Sequence, residues 1–337
     1  MKKTSLLFAF VLITFFSYSQ TVEEYFNRGN AKFELEDYRG AIINFSKAIE
    51  LNPKSADAYL NRGNAKSKLE DYQGAIADYS KAIELNPNDA HAFYNRGNEK
   101  DNLKDSRGAI IDYSKAIELN PKYADAYYNR GITKKSMLDY RGAIADFSKA
   151  IELIPKFAIA YCNRGTVKNE LEDCLGAIID YSKAIELDPK YTDAYFNRGN
   201  AKDKLEDYRG AVVDYSKAIE LDSKYADAYY NRGNTKTKLK DYQGAVVDYS
   251  KAIELNPNDA DAYFKRGNAK YKLEDYRGAV VDYSKAIELN PKYAEAYYNR
   301  GNAKYYLNDK NGACLDWRKA GELGYLSAYD LIKKNCN

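Results

Sequence analysis

Residues 226–259 have the sequence ADAYYNRGNTKTKLKDYQGAVVDYSKAIELNPND, and close copies of this stretch follow one another along the chain. The Arg-Gly pair near its start returns every 34 residues, with no residue inserted or lost, at Gly29, Gly63, Gly97, Gly131, Gly165, Gly199, Gly233, Gly267 and Gly301. A period of this length indicates a repeat array, whose stacked units bury their apolar faces on one another and not in one central core. The period therefore decides the fold class before any single residue is considered.

We number each of these glycines as position 8, which gives nine repeats over 22–55, 56–89, 90–123, 124–157, 158–191, 192–225, 226–259, 260–293 and 294–327. Of the 20 glycines in the chain, 18 lie at positions 8 and 19, which indicates close approach of neighbouring groups and not flexibility. All seven prolines lie at position 32, where a helix must end.

Each repeat is predicted to contain two helices. In the seventh repeat the first helix covers about 227–239, and the second begins after Asp241 and ends near Asn256. The second helix carries an apolar stripe at i, i+3, i+4 spacing, which faces its packing partners. Aspartate stands at position 16 in all nine repeats, where its carboxylate can accept from unpaired N–H groups as an N-cap.

These residues resemble the tetratricopeptide repeat (TPR) family over residues 22–327. The family pattern of aromatic, glycine, alanine, aromatic, alanine and proline is met in the seventh repeat by Tyr229, Gly233, Ala245, Tyr249, Ala252 and Pro257. The resemblance implies an all-α, right-handed superhelical solenoid of nine helix-turn-helix repeats, whose first helices line a concave groove that binds extended peptides or partner helices. Residues 328–337 are predicted to form a C-terminal capping helix.

The chain departs from the family at two positions on the inward face. Position 7, usually Leu, is Arg in every repeat, and position 11, usually aromatic, is Lys in every repeat. Position 23 on the facing helix is Asp in every repeat but the first, where it is Asn44. We predict one Arg–Asp ion pair per repeat that fixes the packing register; the alternative is a row of ligand-binding arginines.

Residues 1–19 are predicted to be a cleaved signal peptide. Lys2 and Lys3 precede an apolar stretch over 6–16, and Ser17-Tyr18-Ser19 gives a small–x–small pattern before a cut ahead of Gln20. The apolar stretch is shorter than the about 20 residues that span a bilayer, so no transmembrane span is expected. The alternatives are an uncleaved anchor and an N-terminal helix of the fold. The prediction is export to the periplasm or the exterior.

Charge and cysteine content limit the classes of partner and compartment. Without Lys2 and Lys3 the 52 basic residues become 50 against 49 acidic ones, a balance that argues against a nucleic-acid surface. A disulfide between Cys314 and Cys336 is geometrically plausible across the antiparallel pair formed by the last repeat and the cap, and two buried thiols are the alternative. Cys162 and Cys174 lie near opposite ends of their helix and are not expected to pair.

The sequence offers little for catalysis. His91 is the only histidine, no Cys-x-x-Cys or His-x-x-x-His spacing occurs, and every glycine-rich position belongs to the repeat pattern. Carboxylates that recur in every repeat indicate a structural role and not a role in acid–base catalysis. We therefore expect a protein that is not an enzyme and that uses no cofactor and no metal.

Candidate partner-binding residues lie at the groove positions that the TPR resemblance implies. They are Tyr94, Asn98, Asp125, Tyr128, Asp193, Phe196, Asn200, Asp227, Tyr230 and Asn234. Asparagine offers both donors and acceptors to an extended peptide, and tyrosine offers amphipathic contact area. The alternative for the position 5 aromatics is packing between neighbouring repeats. The acidic residues at position 2 argue against a ligand with a free carboxylate tail.

The fifth repeat carries an apolar island at Ile154, Phe157, Ile159, Cys162, Thr166 and Val167. Ile159, Cys162 and Thr166 are candidate contacts because an exposed apolar area often marks a binding site. The alternative is that these residues repack between the fourth and fifth repeats. The favoured function is a non-enzymatic scaffold that binds a protein or peptide in its groove. The alternatives are a structural or self-associating component of a cell-envelope assembly, and an enzyme or accessory that binds a glycan.

Overall fold

A computed structural model describes residues 21–336, and the predicted signal peptide lies outside these described residues. Within them all regular elements are α-helices and no strand is present. Their bounds are α1 (21–34), α2 (Tyr38–Leu51), α3 (Ala56–Lys68), α4 (Tyr72–Leu85), α5 (Ala90–Asn102), α6 (Ser106–Leu119), α7 (Ala124–Ser136), α8 (Tyr140–Leu153), α9 (Ala158–Glu170), α10 (Cys174–Leu187), α11 (Thr192–Lys204), α12 (Tyr208–Leu221), α13 (Ala226–Lys238), α14 (Tyr242–Leu255), α15 (Ala260–Lys272), α16 (Tyr276–Leu289), α17 (Ala294–Tyr306), α18 (Lys310–Glu322) and α19 (Ala328–Asn335). The all-α prediction is confirmed.

The chain divides into two compact units, the first ending at Val167 and the second beginning at Lys168, so that the boundary falls inside α9. In each unit the helices pack in tandem pairs. In the second unit, for example, α11 packs on α12, α12 packs on α13, and α13 packs on α14. No helix in the described residues is long and apolar enough to cross a bilayer.

Aspartate caps the second helix of each pair, as the sequence predicts. The Asp241 carboxylate accepts from the backbone N–H of Gly244 at 2.9 Å. A side chain at position 19 would collide with this cap, because a Cβ on Gly244 would lie 2.2 Å from Oδ2 of Asp241. Glycine at this position therefore makes room for the capping carboxylate.

Glycine at position 8 allows the two helices of a repeat to approach closely. A Cβ on Gly233 would lie 2.9 Å from Cε1 of Tyr249, whose side chain is 1% exposed. Alanines fill the rest of each thin core layer, where Ala245 and Ala252 of α14 are buried against the first helices. Small residues and one large ring per repeat thus set the spacing between helices.

The turn within each repeat uses a left-handed residue that is not glycine. Position 15 has φ between 59° and 65° in all nine repeats, at Glu36, Glu70, Lys104, Leu138, Glu172, Glu206, Lys240, Glu274 and Asn308. In the seventh repeat Asp241 N–H donates to the carbonyl of Lys236 at 2.9 Å, which closes the first helix with a Schellman-type turn.

The C-terminal helix covers the last repeat. Gly324 has a φ of 95° in the turn between α18 and α19. Trp317 is 1% exposed in a cluster that Leu331 and Ile332 of α19 complete. A disulfide joins Cys314 to Cys336 with an Sγ–Sγ distance of 2.04 Å, so α19 is covalently tied to α18.

Candidate functional site

The inward arginines form ion pairs, as predicted, and serve the packing of the repeats. The guanidinium of Arg232 donates to both oxygens of Asp248, at 2.9 Å and 2.6 Å, and Asp248 is 1% exposed. Lys236 reaches the same carboxylate at 2.8 Å, and Arg232 also donates to Ser216 of the preceding repeat at 2.9 Å. Equivalent pairs within the two units are Arg62–Asp78, Arg96–Asp112, Arg130–Asp146, Arg198–Asp214, Arg266–Asp282 and Arg300–Asp316.

The first repeat differs because Asn44 replaces the aspartate. Arg28 there pairs with Glu24 of its own helix at 2.6 Å, and both side chains are more than half exposed. The buried arrangement in the other repeats uses every oxygen of the aspartate. These arginines are therefore structural, and the alternative of a ligand-binding arginine row is not supported by their contacts.

Four asparagines at position 9 accept from two donors each: Asn64, Asn98, Asn200 and Asn268. In the second unit Asn200 Oδ1 accepts from the Tyr215 hydroxyl at 2.8 Å and from Asn231 Nδ2 at 3.0 Å. Asn268 accepts in the same way from Tyr283 and Asn299. The Nδ2 groups of Asn200 and Asn268 donate to no residue within 21–336. Every fully buried side-chain nitrogen in these residues has a hydrogen-bond partner, so a nitrogen without one is accessible to solvent. These Nδ2 groups therefore reach the surface as available donors.

The same ladder is present in the first unit. Asn98 accepts from Tyr113 and from Asn129, both at 2.9 Å. Asn129 Nδ2 also donates to the hydroxyl of Tyr94 at 2.9 Å. In the second unit, Asn234 of the seventh repeat accepts from Tyr249 at 2.8 Å. The groove asparagines thus have fixed orientations, which pre-organises them for a ligand.

The position 5 aromatics pack on the aromatic residue at position 34 of the same repeat, and that residue comes shortly before the first helix of the next repeat. The Tyr94 ring lies 4.8 Å from Tyr123, the Tyr128 ring lies 5.0 Å from Phe157, and the Phe196 ring lies 4.8 Å from Tyr225, measured between centroids. Burial raises the pKa of Tyr94, Tyr128 and Tyr230 above the ordinary tyrosine value. Phe196 packs on Tyr215 and Tyr225, whereas Tyr230 packs on Tyr249 and also lines a cleft.

The acidic residues at position 2 lie at the starts of the first helices. Asp125, Asp193 and Asp227 are exposed in the first turns of α7, α11 and α13. Asp193 accepts from Tyr225 of its own repeat at 3.4 Å. None of the three lines the cleft of the second unit.

The apolar island of the fifth repeat is not a continuous exposed patch. Cys162 is 4% exposed and Val167 is fully buried, while Phe157 packs on Tyr128. Thr166 is half-buried and donates to the carbonyl of Cys162 at 3.0 Å. Ile154 and Ile159 remain exposed, at 40% and 41%. We therefore remove Cys162 from the candidate surface, because its side chain is not accessible.

The second unit contains a cleft of about 740 Å³ along its first helices. Its lining includes the predicted residues Asn200, Tyr230 and Asn234, together with Asn231 and Asn268. An adjoining cleft of about 370 Å³ continues along α15 and α17 and is lined by Tyr271, Tyr283, Asn299 and Asn302, among others. The two clefts share Thr237 and Asn268, and we call them together the trough.

The trough is lined by lysines that are not among the predicted site residues. Lys204, Lys238, Lys265 and Lys272 line it, and Asp203 is its one carboxylate. Asp203 is engaged by Thr235 at 2.7 Å and by Lys238. The other three lysines form no ion pair within the described part of the chain. Lys204, Lys238 and Lys272 stand at position 13 of three successive repeats, whereas Lys265 stands at position 6, where the other eight repeats have asparagine.

The described residues show no arrangement that resembles a metal site: residues 21–336 contain no cluster of three His, Cys, Asp or Glu side chains that could hold an ion. His91 is exposed, and its Nδ1 lies 3.0 Å from the hydroxyl of Tyr123. The contacts of His91 are those of a surface residue at the edge of a helix pair.

Comparison with known families agrees with the repeat geometry. The TPR repeat family matches residues 29–70, 107–137, 170–205, 204–240, 233–274 and 267–308. A second tetratricopeptide repeat family matches 56–89 and 124–157. These matches cover more than half of the chain, which therefore belongs to the TPR repeat family.

Several solved structures are similar to this chain. YrrB, described as a TPR protein with an unusual peptide-binding site, is 28% identical with a TM-score of 0.52, over 56% of this chain and 97% of YrrB. The C-terminal part of a TPR repeat-containing protein from Cytophaga hutchinsonii is 20% identical with a TM-score of 0.62, over 71% and 98% of the two chains. A tetratricopeptide repeat protein from Parabacteroides merdae is 21% identical with a TM-score of 0.53, over 74% and 99%. The last two show the fold alone. A search of curated proteins gave no match.

Proposed function

We propose that this protein is a non-enzymatic scaffold that binds an extended segment of a protein partner in the trough of its second unit. The observation that carries the proposal is the row of asparagines whose oxygens are occupied and whose Nδ2 donors reach the surface, as at Asn200 and Asn268. An extended peptide has backbone carbonyls that can accept from such donors. The peptide-binding site named for YrrB supports the same use of the fold.

The test is a binding experiment with an occluded trough. Thr237 lines both clefts, and Thr237→Trp places a large ring between them. We expect peptides selected from a random 12-residue library by the purified protein to bind the variant at least about tenfold more weakly, since steric blocking removes most of the contact area. Position 12 already holds Tyr271 and Tyr305 in other repeats, so the variant should fold.

The matched control is Ser223→Trp, which places the same side chain in an exposed loop. Equal affinity of the Thr237→Trp variant and this control would contradict binding in the trough. Failure to select any peptide would contradict the scaffold function itself.

A second candidate function is self-association within a cell-envelope assembly. It is favoured by aliphatic side chains at position 22 of the second helices, at least 60% exposed, at Ile179, Val213, Val247, Val281 and Leu315. Sedimentation of the purified protein across a range of concentrations separates the two functions. A concentration-dependent oligomer that Val247→Ser dissolves supports self-association, and a monomer at all concentrations excludes it.

We also propose that the protein is exported after removal of residues 1–19. The disulfide between Cys314 and Cys336 supports this, because such bonds persist in oxidising compartments. The protein purified from its native cells should begin at Gln20, as N-terminal sequencing would report. An intact Met1 would exclude cleavage at this site.

A further inference from the structure

The trough of the second unit has a charge and a repeat spacing that restrict the segment it can hold. We propose that it binds an acidic segment of a partner chain in the polyproline II conformation, one turn per repeat. This inference rests on the proposed function, and it names the chemistry and conformation of the ligand.

Charge is the first constraint. Lys204, Lys265 and Lys272 line the trough without an ion-pair partner in the described residues, while the carboxylate of Asp203 is already occupied by Lys238 and Thr235. The lining of the trough therefore has more positive than negative side chains, four lysines against one aspartate. Glutamate or aspartate side chains on the ligand would neutralise this excess, and basic side chains would be repelled.

The spacing of the first helices is the second constraint. Neighbouring first helices touch, since Asn231 of α13 donates to Asn200 of α11 at 3.0 Å. Helices in contact lie about 8–10 Å apart, and one turn of polyproline II is three residues with a rise of about 9 Å. A β-strand returns to the same face after about 6.6 Å, so it falls out of phase with the repeats. Polyproline II presents the same side chain to each successive repeat.

The lining chemistry is the third constraint. Nδ2 of Asn200 and Asn268 faces outward as a donor for ligand carbonyls, while Oδ1 of Asn231 accepts no hydrogen bond from residues 21–336 and can receive a ligand N–H. Tyr230 and Tyr271 supply aromatic surface of the kind on which proline rings pack. One proline per turn fixes the conformation and leaves two residues per turn with an N–H. A repeating proline-x-acidic tripeptide meets all these requirements.

The experiment uses the full-length mature protein and labelled 12-residue peptides with an acetylated N-terminus and an amidated C-terminus. The test peptide contains four copies of proline-alanine-glutamate. In one comparison peptide lysine replaces glutamate, and in the other serine replaces proline. We expect fluorescence anisotropy to show binding of the test peptide and at least about tenfold weaker binding of the lysine peptide. The serine peptide should bind about fivefold more weakly, because it must lose more chain entropy.

The protein variants use residues that other repeats already carry at the same positions, so folding is preserved. Lys265→Asn introduces the common position 6 residue, and Lys204→Asn introduces the residue found at position 13 of the third repeat. Each should weaken the test peptide about fivefold, and the double variant more. Lys224→Asn is the matched control: it removes the same charge from an exposed loop, introduces the residue that the seventh repeat has at Asn258, and should leave affinity unchanged.

Two outcomes would overturn the inference. One is equal binding of the three peptides, and the other is unchanged affinity in the Lys204→Asn/Lys265→Asn variant. If library-selected peptides are blocked by Thr237→Trp but carry neither prolines nor acidic residues, the inference fails while the proposed function stands. If no peptide binds in a manner sensitive to Thr237→Trp, both fail.

Discussion

Asp248→Ala is expected to lower the free energy of unfolding by about 3 kcal/mol, because it leaves two cations without their buried partner. Asp248 is 1% exposed and pairs with Arg232 and Lys236, whose side chains are 16% and 19% exposed. Water reaches the two cations more easily than it reaches the carboxylate, so the loss should lie at the lower end of the range for buried pairs. Urea unfolding followed by circular dichroism at 222 nm measures it.

Two further variants make this prediction specific. Asp248→Asn reproduces the residue that the first repeat has at Asn44, and it should cost about half as much because a hydrogen-bond acceptor remains. Glu254→Ala removes a carboxylate of the same helix that is 66% exposed and pairs with Lys251, and no measurable change is expected. Equal stability of the Asp248→Ala and Glu254→Ala proteins would refute a structural role for the buried pair.

Breaking the disulfide is expected to destabilise the C-terminal cap by about 3 kcal/mol in the chain-entropy model, given a sequence separation of 22 residues. The double variant Cys314→Val/Cys336→Ser should show faster amide hydrogen exchange in α18 and α19 than the parent protein. Valine is the residue at the equivalent position 21 of the sixth to eighth repeats, which limits the packing change.

Dithiothreitol should produce the same effect in the parent protein and no effect in the double variant, whose remaining thiols Cys162 and Cys174 are buried. Thiol titration of the unreduced, denatured protein should give two reactive groups. Four reactive groups, or equal exchange rates in α19 with and without reductant, would contradict a bond that holds the cap.

Most of the fold could be predicted because the same position has the same structural role in each repeat. Gly233 and Gly244 each stand where a Cβ would collide, and Asp241 caps a helix, so all three leave a period in the sequence. The left-handed turn could not be predicted in this way. Lys240 has a φ of 62° although it is not glycine, because the Schellman-type turn and the Asp241 cap on either side hold it there.

The candidate site could be predicted only in part. Asn200, Tyr230 and Asn234, which are predicted from positions that face inward, line the trough. Asp193 is predicted to lie on the same face, but it stands in the first turn of α11 and does not line the trough, so position along the helix axis matters as well as the face. Lys204 and Lys265 are not in the predicted set: Lys204 recurs at position 13 as Lys238 and Lys272, and only Lys265 stands where the other eight repeats have a different residue. A residue that occurs in only one repeat, such as Lys265, leaves no period in the sequence, and only its neighbours in the structure show that it lines the trough.

The bond from each arginine to the serine of the preceding repeat has a consequence for the length of the chain. Arg232 reaches Ser216 and Arg266 reaches Ser250 through the same atoms, at 2.9 Å and 3.1 Å. Because these interfaces between neighbouring repeats use the same contact, a repeat that is duplicated or deleted still forms this contact with the repeats on both sides. Length can therefore change in steps of 34 residues without a new interface, and the reach of the trough would change with it.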